Sequence, residues 1–214
     1  MAKRIDASNE KLDDLKLDGV TVETATVERS VLSGASLDDV DLSRVHFQKV
    51  SLESAILQDV SLQAAKLLDV SLEEATLEDV TFAKATVTDV TFAQSKLTNV
   101  TFAGSSFEDA TFVGATFENV TFQSATLDDV SCREGRWKNV SLEKLQVEDA
   151  NAKGSSWRDV DFGGANITDA SFEGATLTDV SLKGAIIDDA DTTGLIINGV
   201  DVGKLIDEHE EEEE

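Results

Sequence analysis

At 214 residues the chain is long enough to bury one substantial core. It has no Pro or Tyr and a single cysteine, Cys132, which excludes an internal disulfide and points to a reducing compartment. A net charge of −25 argues against direct nucleic-acid binding, because phosphates would be repelled.

Residues 1–14 form an N-terminal segment or cap in this reading. Met1 to Asp6 run straight into polar residues with no apolar signal-like core, and no apolar run approaches the length of a membrane span. A cytoplasmic, non-membrane protein is expected.

From Leu17 to Ile187 the chain falls into 35 units of five residues without an insertion or deletion. The central position is Leu, Phe, Val or Ile in 31 of the 35, the exceptions being Cys132, Trp137, Ala152 and Trp157. Two residues earlier stands Ala, Val or Ser in 32, the departures being Leu15, Gly135 and Leu145. All ten Phe, both Trp and the Cys occupy the central position. Period five fits neither the helical 3.6 nor the strand period of 2. Two inward residues separated by one outward residue, then two turn residues, describe one short side of a coil that bends after every unit. Ten of the 13 glycines, Gly34 and Gly104 among them, sit at the second turn position, where positive φ is commonly required.

Units such as Ala115-Thr116-Phe117-Glu118-Asn119 and Ala175-Thr176-Leu177-Thr178-Asp179 resemble the pentapeptide-repeat family over roughly residues 12–202. The family's unit reads A(D/N)LxG, whereas here Ser or Thr usually precedes the central residue. The resemblance implies an all-β, right-handed four-sided β-helix with four units per coil, a single domain with short terminal caps. About nine coils at a strand spacing of about 4.8 Å make a rod about 42 Å long. Domain boundaries follow: repeats over 15–193, a terminal coil and cap over 194–206, and a disordered acidic tail over 207–214.

Twenty residues per coil stacks residues 20 apart. Phe82, Phe102 and Phe122 then form one column, Phe92 and Phe112 the opposite one. The smaller inward residues alternate between Val (Val40, Val60, Val80) and Ala (Ala35, Ala55, Ala75), giving wide and tight walls. Asp39, Asp59, Asp79, Asn99, Asn119, Asn139, Asp159 and Asp179 line one corner. An acidic or cation-binding stripe is one reading of that corner. The plainer one has the side-chain oxygen accepting a backbone N–H in the turn, a role Asn and Asp share.

The stretch 132–158 breaks the pattern. Oversized Trp137 and Trp157 stand beside undersized Cys132 and Ala152, an exchange of core volume that leaves Cys132 buried and unreactive. Above it Arg133, Arg136, Lys138, Lys153 and Arg158 gather five cations on an otherwise acidic rod. They are candidates for docking an acidic partner, against the plainer reading of relieved repulsion and stems covering the Trp layer.

Catalysis finds no support: His46 and His209 are the only histidines, His46 cannot reach Cys132, and neither a metal-ligand cluster nor a phosphate loop is present. No cofactor or metal is expected. The first functional reading is a non-enzymatic scaffold that binds a protein partner through its outward faces. The alternative, implied by the resemblance, is mimicry of DNA toward DNA gyrase, since −18 on residues 1–206 is of the order of the roughly 25 charges that duplex DNA carries over such a length. A structural or designed rod without a dedicated partner is a third reading. A monomer, or a homodimer through a coil end, is expected.

Overall fold

The computed structural model describes residues 4–8, 15–22 and 24–213. The inward pairs land where the five-residue register places them, except that Ile187 on the last turn is exposed, and the chain winds into a parallel β-solenoid of about nine turns. Strands pair in parallel with strands 20 residues on: Leu37 opposite Leu57, Phe117 opposite Trp137, Trp137 opposite Trp157. Four five-residue sides therefore close each turn. The pairing makes one ten-stranded and one eleven-stranded sheet, each running the length of the rod.

The four corners are of two kinds. After Leu32 the chain turns tightly, with the Ala35 N–H donating to the Leu32 carbonyl at 3.0 Å, and the same bond recurs at Ala55 to Leu52, Ala115 to Phe112 and Ala175 to Phe172. At the intervening corners no such bond closes the turn, and six-residue strands such as Ser36–Asp41 and His46–Ser51 bend straight through. Each sheet is thus folded over one open corner, and closed turns join the two.

Both kinds of corner place their last residue in the left-handed region. Gly34 stands at φ 71° and Asp39 at 51°. Glycine satisfies this without strain, but among the described residues 27 non-glycine residues adopt it as well, 16 of them Asp or Asn. These are the side chains that best tolerate left-handed backbone. The expected turn hydrogen bond is not what Asp and Asn provide at position 39 and its stacked equivalents; their conformation is. The acceptors for turn N–H groups lie instead just before the central residue ahead of each closed turn. Asp41, Asn151, Asp161 and Asp191 accept from the N–H two residues on at 2.8–3.1 Å. Thr81, Thr91 and Thr121 do so with Oγ1 at 3.2–3.3 Å. This accounts for Ser and Thr at a position where the family pattern has Asp or Asn.

The core is a set of stacked columns. Phe82, Phe102 and Phe122 stack at centroid spacings of 4.9 and 4.7 Å, and Phe92 lies over Phe112 at 4.8 Å. The columns meet edge-on, Phe92 against Phe102 at 85°. Where Ser replaces Ala after a closed turn, its hydroxyl donates to the carbonyl three residues back, as Ser95 does to Phe92 at 2.6 Å, so the buried oxygen is satisfied.

The ends depart from expectation. Strand Arg4–Ser8 pairs with Thr24–Glu28 at the same 20-residue offset, so this part of the N-terminal segment is a further rung of the solenoid. Residues 1–3 and 9–14 of that expected cap lie outside the described residues. At the other end Ile196–Ile197 and Val200–Asp201 form an antiparallel hairpin through Asn198-Gly199, both at positive φ, as a two-residue turn of this kind demands. The tail expected to be disordered from 207 is helical: α1 runs Val202–Glu213. Its start is fixed by Asp201, whose carboxylate accepts the Lys204 N–H at 3.2 Å as an N-cap. Gly203 is needed there because a Cβ would lie 2.6 Å from the Thr192 carbonyl oxygen.

Phe102 contacts five other phenylalanine rings. Truncation to Ala is expected to cost about 3–5 kcal/mol in chemical denaturation, with the far-ultraviolet spectrum of the folded state unchanged.

Candidate functional site: charged corners and the tryptophan layer

The five cations come together as the register requires. Lys138 lies opposite Arg158 across paired strands, and the Glu134 N–H of the same turn as Arg133 donates to the carbonyl of Lys153. All five side chains are exposed. Two are already engaged within the chain: Lys138 Nζ meets Glu118 at 2.7 Å, and Lys153 Nζ meets Glu173 at 2.6 Å. The bond and the charge of Lys138 hold the Glu118 carboxyl below the ordinary glutamate value. Arg133, Arg136 and Arg158 make no ion pair among the described residues. The patch therefore reduces to three arginines, Arg136 and Arg158 on the eleven-stranded sheet and Arg133 in the closed turn that leads into it.

A longer feature occupies the open corner of the ten-stranded sheet. Asp69, Asp89, Asp109, Asp129, Asp149, Asp169 and Asp189 stand there on seven consecutive turns, all exposed and all at positive φ. Glu108, Asp128, Glu148 and Asp188 flank them one residue earlier on the same strands. Crowding acts at the middle: a hydrogen bond to Asp129, some desolvation, and the charges of Asp129, Asp89 and Glu108 raise the Asp109 carboxyl above its usual value.

The sequence reading singled out the other open corner, which is chemically different. There Asn99 Nδ2 donates to Asp79 at 3.0 Å, Asn119 to Asn99 at 3.0 Å, and Asn139 to Asn119 at 2.6 Å, a ladder of neutral donors that removes repulsion. The seven-aspartate column was present in the sequence at the same spacing, ten residues out of step. Splitting the Asp positions by turn of the coil separates the two.

Beneath the arginines lies the tryptophan layer. Phe117, Trp137 and Trp157 stack at 3.8 and 4.3 Å. Trp157 Nε1 donates to Ser155 Oγ at 2.6 Å, and Ser155 in turn donates to the Ala152 carbonyl. Trp137 lacks that relay: residue 135 is Gly, and Trp137 Nε1 finds no protein acceptor. A Cβ at Gly135 would fall 2.8 Å from that nitrogen, so the wider ring is accommodated at the expense of its hydrogen bond. Cys132 is buried, and desolvation pushes its thiol up to about 12, which leaves it protonated and a poor nucleophile at neutral pH. His46 lies half-buried on an outward position of the opposite sheet. Among the described residues no group of three or more His, Cys, Asp or Glu is placed to hold a metal ion, and no helix is long and apolar enough to cross a membrane.

The raised carboxyl carries a pH dependence. A folded-state value above the unfolded one means that the native protein binds the extra proton, so Asp109 detracts from stability as pH rises from the ordinary aspartate range, about 3.9, through its raised value. Asp109→Asn is expected to raise the denaturation midpoint at pH 7, to gain less near pH 4, and to lose part of its advantage in high salt. A midpoint equal to wild type at every pH would show that the column is not crowded.

Three pentapeptide-repeat profiles match the sequence: a pentapeptide repeat region over residues 35–112, pentapeptide repeats in nine copies over 90–136, and pentapeptide repeats in eight copies over 148–191. No curated protein sequence matches. Among solved structures, the chain is similar to HetL, a protein involved in heterocyst differentiation regulation from the cyanobacterium Nostoc, at 19% identity over 89% of this chain and 90% of that one, with a TM-score of 0.38. It is similar to QnrB1, a plasmid-mediated fluoroquinolone resistance protein, at 18% identity over 96% of both chains and a TM-score of 0.45. Rfr23 from the cyanobacterium Cyanothece aligns over 48% of this chain and 63% of its own at 19% identity and a TM-score of 0.29. With the repeat register, the 20-residue pairing and the sequence profiles in agreement, the chain belongs to the pentapeptide-repeat family.

Proposed function

We propose that this protein is a non-enzymatic interaction rod whose acidic open corner, Asp69 to Asp189, receives the cationic surface of a protein that otherwise binds duplex DNA, with DNA gyrase as the first candidate. One observation carries the reading. The backbone at an open corner needs a residue that tolerates positive φ, and Asn meets that need at Asn99, Asn119 and Asn139 with favourable ladder bonds. Seven consecutive aspartates on the opposite corner therefore carry more charge than the fold requires, at the cost of crowding that raises Asp109. A line of carboxylates spaced about 4.8 Å apart along the rod, with a second line beside it, is of the order of the one charge per about 3.4 Å of helix axis that each DNA strand carries. The cations of the patch do not interrupt it, since Arg136, Lys138 and Arg158 lie on strands of the other sheet and Arg133 and Lys153 in closed turns.

The three arginines without ion pairs support a second reading, docking of an acidic partner at Arg133, Arg136 and Arg158. The two readings separate in a gyrase supercoiling assay titrated with the protein. Lys49, Lys84 and Lys144 already occupy corners at φ 56–60°, so Asp109→Lys with Asp129→Lys should fold. The acidic-corner reading expects wild type to inhibit, the aspartate reversal to weaken inhibition at least tenfold, and reversal of the three arginines to leave it unchanged. No inhibition at any concentration would remove gyrase as the partner. Inhibition lost only with the arginine reversal would move the site to the other sheet.

Homodimerisation, in this reading, uses the C-terminal end. The eleven-stranded sheet is covered there by the hairpin strand Val200–Asp201, whereas Ile186–Asp188 ends the ten-stranded sheet with an unpaired edge and Ile186 60% exposed. Sedimentation should show a dimer in wild type and a monomer in Ile186→Lys. Equal masses for both would exclude this end.

A further inference from the structure

We infer that the core between the tryptophan layer and Cys132 holds a binding site for one small apolar guest, a monatomic or diatomic gas. The inward column that contains Phe92 and Phe112, stacked at 4.8 Å, continues through Cys132 and Ala152 and resumes with Phe172. Two successive turns thus lack the ring that fills this wall on the turns to either side. The neighbouring column compensates by enlarging Phe117 to Trp137 and Trp157, but the exchange is incomplete. A cavity of about 40 Å³ remains, with a wholly apolar surface, bounded by Phe112, Cys132, Trp137, Ala152, Trp157 and Phe172.

The surrounding structure cannot collapse into this space. The two indoles lie 13° from parallel at 4.3 Å, so tilting either into the cavity would break their stack, and tilting Trp137 would also break its stack with Phe117. The backbone on the small-residue side is pinned from turn to turn: the Cys132 N–H donates to the Asn151 carbonyl and the Ala152 N–H to the Ser171 carbonyl, both at 2.8 Å. Water gains little there, since a buried water needs two to four polar partners and this surface offers none. Apolar cavities of this type stay dry and admit xenon or small hydrocarbons. At 40 Å³ the size selects for guests of one or two heavy atoms, dioxygen among them, and excludes aromatic rings.

The composition supplies its own reporter. The chain has no tyrosine, and both tryptophans line the cavity, so intrinsic emission reads this site alone. A second interior space of about 50 Å³, between Leu15 and Leu52, has no tryptophan in its wall and is silent in the same measurement. The probe is xenon, a heavy-atom quencher, applied under pressure to the full-length protein. Saturable quenching of tryptophan emission is expected, reaching a plateau as the site fills. Ala152→Leu, which places side-chain atoms in the cavity, should reduce quenching at least fivefold and leave a weak component linear in pressure. Should that variant fail to fold, the ¹²⁹Xe chemical shift of wild type against Cys132→Phe makes the same distinction, and a plateau in wild-type emission remains the primary criterion. Quenching that stays linear in wild type, or that is identical in a folded filled variant, would overturn the site.

Discussion

The whole architecture depends on one backbone demand: every fifth residue must enter the left-handed region so that the chain can turn a corner and return above itself after twenty residues. For a non-glycine residue this costs roughly 1–2 kcal/mol. Ala64, Lys84 and Glu74 accept it, at φ 55–60°. Inter-turn hydrogen bonds of 2.7–3.2 Å and the stacked apolar columns offset the cost. The demand also shapes the surface. Gly, Asp and Asn are the least strained solutions, so an array of corners fills with aspartate before any partner is considered. Part of the −25 charge is thus a by-product of backbone geometry. What geometry does not explain is the difference between the two open corners, one relieved by a ladder of asparagines and the other left fully ionisable.

Most of the fold was legible because its signal repeats. A register held over 35 units fixes which residues face inward, and a 20-residue turn then fixes which of them touch, so the Phe columns and the Trp137–Trp157 stack follow from position alone. What repeats only in alternation was harder to read. Closed and open corners differ by one hydrogen bond, between residues such as Ala35 and Leu32. Composition follows the difference, with Asp or Asn at open corners such as 39 and 69 and Gly at closed ones such as 34 and 104, but does not say which kind carries the bond. Single events were not legible at all. Helix α1 begins on a capping contact from Asp201 and a close approach of Gly203 to Thr192, while its composition reads as a solvated acidic tail. The candidate site was half legible. The five cations were visible as a cluster, but the engagement of two of them, Lys138 by Glu118 and Lys153 by Glu173, each twenty residues away, required the pairing of turns.

The tryptophan layer shows how such a core adjusts. Because each inward column is nearly independent along the axis, enlarging one wall by two indoles can be met by shrinking the next wall at the same level. The adjustment stays local: Ala175 and Leu177, on the next turn, are buried again at 0% and 2% exposure. It is not free of cost. Ser155 supplies a hydroxyl to one indole, while Gly135, needed to clear the other, leaves Trp137 Nε1 without a protein acceptor.

The alternation of corners also restricts how the chain can change length. Five inserted residues would keep every inward side chain inward, yet rotate all that follows by a quarter turn and exchange open corners for closed ones. Ten would restore the type of corner but carry the later aspartates across to the diagonal edge, in line with the asparagines. Only a block of twenty leaves the line of carboxylates straight. A surface that reads as a continuous charged edge is therefore also a record of insertions and deletions, tolerated in whole turns and in no smaller unit.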